Sequence, residues 1–241
     1  VALFVDGEVR SRFDVVPRRH AELVLPWADE LLAECGIARS DLDAIACTRG
    51  PGAFTGVRLG IAVAQGIALA LDLPIVAASS LRVLVEPYLA AARADHAGVM
   101  ALLDARMGEL YAAAWSAAHL PGDATDLAAA QAATLPESLC APGSLADLLR
   151  AGDKSKSDES AARWILCGSG VAIARAPSDA SVGHVIAEHP EALPHAENLA
   201  RLAADAYARG EAIDAAAVLP VYLRNNVAQT IAQRAAQTIA S

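Results

Sequence analysis

Apolar and polar residues at the start of the chain alternate first with the two-residue period of a β-strand and then with the 3.6-residue period of an α-helix. "VALFVDGEVRSRFDVV" (1–16) alternates in the manner of paired strands and predicts a β-hairpin with Asp6-Gly7 as its tight turn. "HAELVLPWADELLAECG" (20–36) then repeats its apolar residues at helical spacing and places its charges on the opposite face. We therefore predict a hairpin followed by an amphipathic helix that Gly36 ends.

The next stretch changes between strand and helix patterns twice. "LDAIACT" (42–48) and "PIVAAS" (74–79) are short apolar runs typical of buried strands. Between them the spacing predicts a helix from Gly56 to about Leu71, with Thr55 as its N-cap and Pro74 just past its end. This order predicts a β-loop-α-β unit.

The rest of the chain predicts a second set of elements. "VMALLDARMGELYAAAW" (99–115) indicates two strands around a turn at residues 104–108. The remaining predicted elements are a helix near 80–94, a strand in 163–170, a helix at 196–210 and a late strand at 217–225. We interpret the polar segment 151–162 as a mobile loop or linker and the AQTIA repeat of the tail as incidental to function. This order predicts a mixed sheet flanked by helices, with a second, smaller lobe from about residue 100.

"TRGPGAFTGVRLGIAVAQG" (48–66) places a glycine-rich turn between a strand and a helix, the usual setting of a phosphate loop. The phosphate patterns fail in detail. No lysine lies in this stretch, and the dinucleotide pattern starting at Gly50 needs glycine where Thr55 stands. We therefore favour another use for these glycines.

Helical geometry suggests that these glycines serve close packing between helices. At about 100° per residue, one face collects small and apolar residues: Gly56, Gly60, Val63, Ile67, Ala70 and Leu71. Glycines four apart let another helix approach closely. The other side carries Ile61, Ala68 and Leu69, so the helix is apolar nearly all round. Such a helix must be covered on both sides, and its own sheet can cover only one of them. The pattern predicts a docking surface for a neighbouring helix.

Composition narrows the class of protein. The 241 residues suffice for one large or two ordinary domains, and the net charge of −9 argues against this chain alone gripping nucleic acid. No uninterrupted apolar run reaches the length of a membrane span, and no secretory signal is visible. The sequence contains four cysteines that lie far apart: Cys35, Cys47, Cys140 and Cys167. We interpret them as reduced and mostly buried, and we therefore predict neither a metal site nor a set of disulfides.

Three groups of polar residues are candidates for catalysis. His20 could ligate a metal, but position i+4 is Val24, so a capping or interface role is favoured. Asp104, Arg106 and Glu109 could form an acid/base cluster, although charges at a hairpin turn are more often solvated or paired. Gly168-Ser169-Gly170 could contact phosphate, but a plain turn after a strand explains it better. Residue chemistry alone gives little support for an enzyme.

"GPGAFTGVRLG" (50–60) closely resembles the motif of the TsaB family, also called YeaZ, which serves the synthesis of threonylcarbamoyladenosine in bacterial tRNA. "HAELVLP" (20–26), "DARMGELYAA" (104–113) and "PVYLRNN" (220–226) resemble that family's patterns in the same order. The resemblance implies an α/β fold of the actin-like ATPase and sugar-kinase (ASKHA) type, with two ribonuclease H-like lobes built on mixed sheets. We place these lobes at 1–98 and 99–241. Family members normally begin with a further strand before the hairpin, and that strand is absent from this sequence.

The resemblance also implies a role. TsaB is understood as a non-catalytic, cytoplasmic partner of TsaD, the paralogue with paired metal-binding histidines that modifies adenosine 37 of tRNA, and the ATPase TsaE joins them. It implies a homodimer in isolation, contact with tRNA only through the complex, no membrane, and no cofactor or metal bound by this chain alone. A nucleotide such as ATP at an interface shared with TsaD stays open. The predicted partner interface comprises Leu25, Gly56, Val57, Gly60, Ile61, Val63, Ala64 and Ile67.

The alternative is an enzyme of the same fold. Because the family was once classed with M22 glycoproteases, an ATPase or a metal-dependent peptidase is the second hypothesis. The missing histidine pair, the absent lysine and the unmatched phosphate patterns favour the binding subunit over both enzymes.

Overall fold

The computed structural model describes residues 1–16, 19–116, 133–152, 163–174 and 184–224. The strands are β1 (Ala2–Val5), β2 (Glu8–Ser11), β3 (Ile45–Thr48), β4 (Ile75–Ala78), β5 (Gly98–Arg106), β6 (Glu109–Trp115), β7 (Leu135–Cys140), β8 (Arg163–Cys167) and β9 (His184–His189). The helices are α1 (His20–Cys35), α2 (Phe54–Leu71), α3 (Ser80–Val85), α4 (Leu89–Ala94), α5 (Leu145–Gly152) and α6 (Ala196–Ala208).

The largest sheet has the order β7-β6-β5-β8-β9 and is mixed. β6 pairs antiparallel with both β5 and β7, whereas β8 pairs in parallel with both β5 and β9. Its central strand β5 is apolar on both faces, since Met100 and Leu102 pack with α5 and Val99 and Ala101 pack with α3 and α4. The predicted α/β class with a mixed sheet is confirmed.

The N-terminal strands form two separate pairs. β1 and β2 pair antiparallel, and β3 and β4 pair in parallel through the crossover helix α2. Helix α1 contacts β1, α2 contacts β3, and α6 lies against all four strands from the opposite side. The predicted boundary between residues 98 and 99 stays a prediction.

The local predictions of the N-terminal half are confirmed. Asp6 and Gly7 form the hairpin turn with φ of 50° and 83°, and Gly36 ends α1 at φ 68°. One detail is wrong: α2 begins at Phe54 after the N-cap Ala53, whose carbonyl accepts the Val57 N–H, so Thr55 lies inside the first turn.

Two predictions farther along need correction. The helix predicted near 80–94 is divided into α3, a 3₁₀ turn at Glu86–Tyr88 and α4, because Pro87 has no N–H to continue the ladder. The strand predicted at 217–225 is absent from the described residues up to 224, where a 3₁₀ turn at Ala215–Ala217 precedes an irregular segment containing Pro220. Residues 153–162 and the repeat of the tail lie outside the described residues.

The cysteines are free, and two of them are deeply buried. Burial raises the pKa of the Cys47 thiol to about 11 and that of Cys167 to about 12. Only on the order of a thousandth or less of either thiol is thiolate at pH 8, and the thiolate is the reactive form.

We therefore expect a neutral thiol reagent at pH 8 to label Cys35 and Cys140 at least tenfold faster than Cys47 and Cys167 in the native protein. Mass spectrometry of peptides from the labelled chain measures each site. Unfolding in guanidinium serves as the control and should equalise the four rates. Fast native labelling of Cys167 would contradict its burial.

Candidate partner interface

Helix α2 presents two different faces. Toward the chain's own core it buries Ile61, Ala64 and Ala68 against β3, β4 and the turn at 215–217. Gln65 fixes this contact, since its side-chain amide donates to the carbonyl oxygens of Ala215 and Val218 at 2.8 and 3.2 Å. The rest of the helix surface has no such cover within the described residues.

The uncovered side contains the small stripe. Gly56, Gly60 and Ala70 are exposed, and Val63 and Ile67 are half-buried. A side chain built at Gly60 would meet no atom within 4 Å, so its missing β-carbon serves no contact inside the described part of the chain. The stripe is a smooth apolar surface with room for a neighbouring backbone.

The predicted interface residues divide into buried residues on the core side of α2 and more exposed ones on its stripe. Ile61 and Ala64 are only 4% and 5% exposed, and Val57 packs beside them at the edge of the same core. Ile61 and Ala64 are unavailable to a partner in this structure, and we leave them out of the proposed surface. Leu25 of α1 is 52% exposed. It lines, together with the α2 stripe, a large cleft between α1, α2 and the strands β1 and β3.

The glycine-rich turn before α2 is tied to the rest of the chain. Gly50 has φ of 98° and precedes a cis bond to Pro51, and its carbonyl accepts the Ser80 N–H at 2.8 Å. The Arg49 carbonyl accepts the Val221 N–H at 2.8 Å. These bonds position the start of α2 against α3 and the late segment.

An aromatic cluster at the N-terminal end of α2 could not be found from the sequence. The Arg58 guanidinium lies 3.6 Å from the centre of the Phe54 ring, and its Nε donates to the Tyr222 hydroxyl at 2.7 Å. Phe54 and Tyr222 are both about half exposed. Arginine and aromatic side chains of this kind are enriched at the centres of protein interfaces. Arg58 and Tyr222 are 164 residues apart, so no local pattern connects them.

The predicted polar clusters are stabilising contacts in this structure. Asp104 pairs with Arg106 at 3.1 Å, while Glu109 pairs with Arg224. Ser169 accepts the Asp104 N–H at 3.2 Å, which ties the turn after β8 to the end of β5. His20 is the first residue of α1, and its side chain lies outside the description. Within the described residues no three His, Cys, Asp or Glu side chains are placed to hold a metal ion.

Helix α2 is also apolar enough to raise the question of a membrane. Its 18 residues have a mean hydropathy of 1.6, which by length and composition alone would allow a span. Here it is the crossover between β3 and β4 and buries one face on them. Its exposed apolar side therefore lies on a helix anchored to its own sheet.

Comparison with known proteins extends this description. The family model "TsaD: tRNA N6-adenosine threonylcarbamoyltransferase" matches residues 14–232. The chain is 33% identical over 232 residues to the tRNA threonylcarbamoyladenosine biosynthesis protein TsaB of Escherichia coli (strain K12), covering 95% of this chain and 90% of that relative. The chain belongs to the TsaB family.

Solved structures of the TsaB family agree with this assignment. YeaZ from Pseudomonas aeruginosa is 37% identical with a TM-score of 0.71, covering 92% of each chain. A second structure, described as an uncharacterized protein with similarity to peptidase YEAZ from Pseudomonas aeruginosa, is 38% identical with a TM-score of 0.74. It covers 92% of this chain and 93% of its own. The predicted resemblance to TsaB is confirmed.

Proposed function

We propose that this chain is a non-catalytic scaffolding and activating subunit of the complex that places threonylcarbamoyl on adenosine 37 of tRNA. The observation that carries the proposal is the exposed small stripe of α2, which lies on a helix whose other face is fixed to its own sheet. Membership of the TsaB family supports the pathway, and the uncovered stripe supports a role in binding.

The partner we propose is a TsaD-type paralogue. Because the TsaD family model matches most of this chain, we expect the two proteins to share a fold of the actin-like ATPase type and to pair equivalent helices. In isolation the same surface would join two copies of this chain around a two-fold axis. A TsaE-type ATPase completes the cytoplasmic assembly.

Two features support a role without chemistry of its own. The net charge of −9 disfavours direct contact with the phosphates of tRNA, so we propose that tRNA is reached only through the complex. The buried thiols Cys47 and Cys167 have raised pKa values and are poor nucleophiles. The second candidate is an ATPase or a metal-dependent peptidase of the same fold, and its peptidase form is favoured by the similarity to peptidase YEAZ that names one related structure.

Titration of ATP separates the two candidates. We expect no saturable ATP binding by the isolated chain, whereas a mixture with a TsaD-type protein should bind ATP at a composite interface. Calorimetry measures both titrations, and TsaD alone is the control. Binding by the chain alone would favour the enzyme.

Assays of turnover complete the test. The purified chain should show no peptidase activity and at most trace ATP hydrolysis. His20→Ala then assigns any activity found, since turnover abolished by this change would make His20 catalytic. Robust turnover that survives the change would reveal an active site elsewhere in the chain. Either result would reject the non-catalytic subunit.

A further inference from the structure

Arg58 is held in a fixed orientation on an exposed side of α2. Its guanidinium carbon lies 3.6 Å from the centre of the Phe54 ring and 5.3 Å from the centre of the Tyr222 ring. Its Nε donates to the Tyr222 hydroxyl at 2.7 Å, which fixes the direction of the guanidinium as well as its place. An arginine restrained in this way loses less conformational entropy when a ligand binds to it.

The outer part of this guanidinium has no partner within the described residues. Neither terminal nitrogen of Arg58 has a hydrogen-bond acceptor there, and no Asp or Glu side chain there pairs with it. Other exposed arginines do pair with carboxylates, since Arg39 contacts Asp29 and Arg201 contacts Glu197. The two open nitrogens of Arg58 are suited to bidentate binding of a carboxylate or a phosphate.

An apolar groove lies next to Arg58, between α2 and the late segment of the chain, residues 218–224. It has a volume of about 300 Å³, and its walls include Ala62 and Gln65 of the helix and Leu219 and Pro220 of the late segment. Leu219 is 71% exposed, so the groove offers apolar surface to a partner. Its volume is at the lower end of the roughly 300–1,000 Å³ of ligand pockets and is suited to one large side chain.

This surface is separate from the stripe of α2. Arg58 and Ala62 lie about 160° around the helix from Gly60, and Leu69, which continues the same face and is 66% exposed, lies about 180° from it. A partner seated on the stripe lies on the other side of the helix and leaves Arg58 uncovered.

The surroundings of Arg58 favour a protein ligand over nucleic acid. RNA and DNA present rows of phosphates that several cations bind together. Among the described residues that line the groove, Arg58 is the only cation, and the net charge of the chain is −9. A small free anion would leave the apolar groove unfilled, whereas a carboxylate carried beside an apolar side chain uses both parts of the surface.

We propose that Arg58 and the groove bind a segment of another protein in which a carboxylate side chain lies about 6 Å from an apolar side chain. The carboxylate of an Asp or Glu pairs with the open nitrogens of Arg58, and the apolar side chain enters the groove beside Ala62 and Leu219. The spacing follows from the helix, which rises about 1.5 Å per residue from Arg58 to Ala62. In an extended peptide, residues i and i+2 are about this far apart and point to the same side. The proposal does not depend on the proposed function, since it needs neither the stripe nor a TsaD-type partner.

Selection from random heptapeptides displayed on phage tests the proposal, with the full chain as the target. We expect the wild type to enrich peptides that carry Asp or Glu at i and Leu, Ile, Met or Phe at i+2 or i−2 by at least tenfold over the unselected library. Arg58→Ala should remove this enrichment. Arg10→Ala is the matched control, because Arg10 is exposed and has no ion pair among the described residues, so the same charge is lost away from the groove. It should select the same peptides as the wild type.

A synthetic peptide from this selection then measures the contribution of each group. Its titration is followed through the amide NMR signals of residues 58–65. We expect binding to weaken roughly tenfold when the acid of the peptide is replaced by its amide, and equally with Arg58→Lys, because lysine lacks the planar guanidinium. Tyr222→Phe keeps the ring but removes the acceptor of Nε, and it should weaken binding several-fold while circular dichroism shows an unchanged fold.

Four results would overturn the proposal. These are no enrichment by the wild type, the same enrichment by Arg58→Ala, equally tight binding by Arg58→Lys, and displacement of the peptide by an equal concentration of oligouridylate, which would assign the site to nucleic acid. In Gly60→Leu, amide signals of residues 58–65 that shift with the concentration of the chain alone would place a second copy on the groove and overturn the proposal as well.

Discussion

Gly60→Leu is expected to weaken association of the chain with itself and with a TsaD-type partner by roughly tenfold to a hundredfold. A leucine on the stripe occupies the space through which the neighbouring backbone passes, and overpacking of this kind costs about 1–3 kcal/mol. Folding should be unharmed, because no atom lies within 4 Å of the new β-carbon and leucine is a better helix former than glycine. Sedimentation measures the self-association, and a binding titration measures the heterodimer.

The chain supplies its own control for this experiment. Ala62→Leu places the same leucine at an exposed position of the same helix, about 160° around its axis from Gly60 and away from the stripe. We expect this variant to associate as wild type does. If Gly60→Leu is folded and associates normally as well, the stripe is not the docking surface.

Gly168→Ala is expected to lower the free energy of unfolding by about 2–5 kcal/mol. Gly168 has φ of 105°, a conformation that costs an L-residue about 1–2 kcal/mol. Its new β-carbon would collide with the Leu102 carbonyl oxygen and lie 2.8 Å from a methyl group of Leu84, and overpacking adds about 1–3 kcal/mol. Neither neighbour can move freely, since Leu102 belongs to the central strand and Leu84 to the core.

Urea denaturation followed by circular dichroism measures this loss. Gly143→Ala is the matched control, because its β-carbon would meet no atom within 4 Å and its backbone has no positive φ. We expect the control to change stability by less than about 0.5 kcal/mol, as ordinary surface changes do. Equal midpoints for the two variants would show that the turn after β8 tolerates a side chain. The expected loss follows from close packing on β5, since a β-carbon at either Gly168 or Gly170 would collide with the backbone of Leu102.

The elements that sequence alone predicts here are those fixed by neighbouring residues. The Asp6-Gly7 turn, the end of α1 at Gly36 and the β5–β6 hairpin all depend on local backbone preferences and alternation. The late strand failed because its apolar residues resemble a strand, whereas Pro220 and the cap by Asp214, which accepts the Ala216 N–H at 2.7 Å, favour irregular structure.

The sequence predicted one part of the candidate interface and missed another. Helical periodicity placed Gly56 and Gly60 together on an exposed face, as the structure has them. It could not tell which neighbouring side faces the sheet, since Ile61 and Ala64 are as apolar as Val63 and Ile67. The contacts of Arg58 with Phe54 and Tyr222 depend on how the late segment returns to α2, which no local pattern specifies.

The position of α6 has a consequence for biosynthesis. Residues 196–208 form the layer beneath β1, β2, β3 and β4, although those strands are complete by residue 78. During translation the first strands therefore leave the ribosome well over a hundred residues before the helix that covers them. Contacts between such distant parts of a chain form slowly and leave apolar surface open in the meantime. The nascent N-terminal half should depend on chaperones until α6 emerges, and a chain that stops before residue 196 should not fold into a stable half.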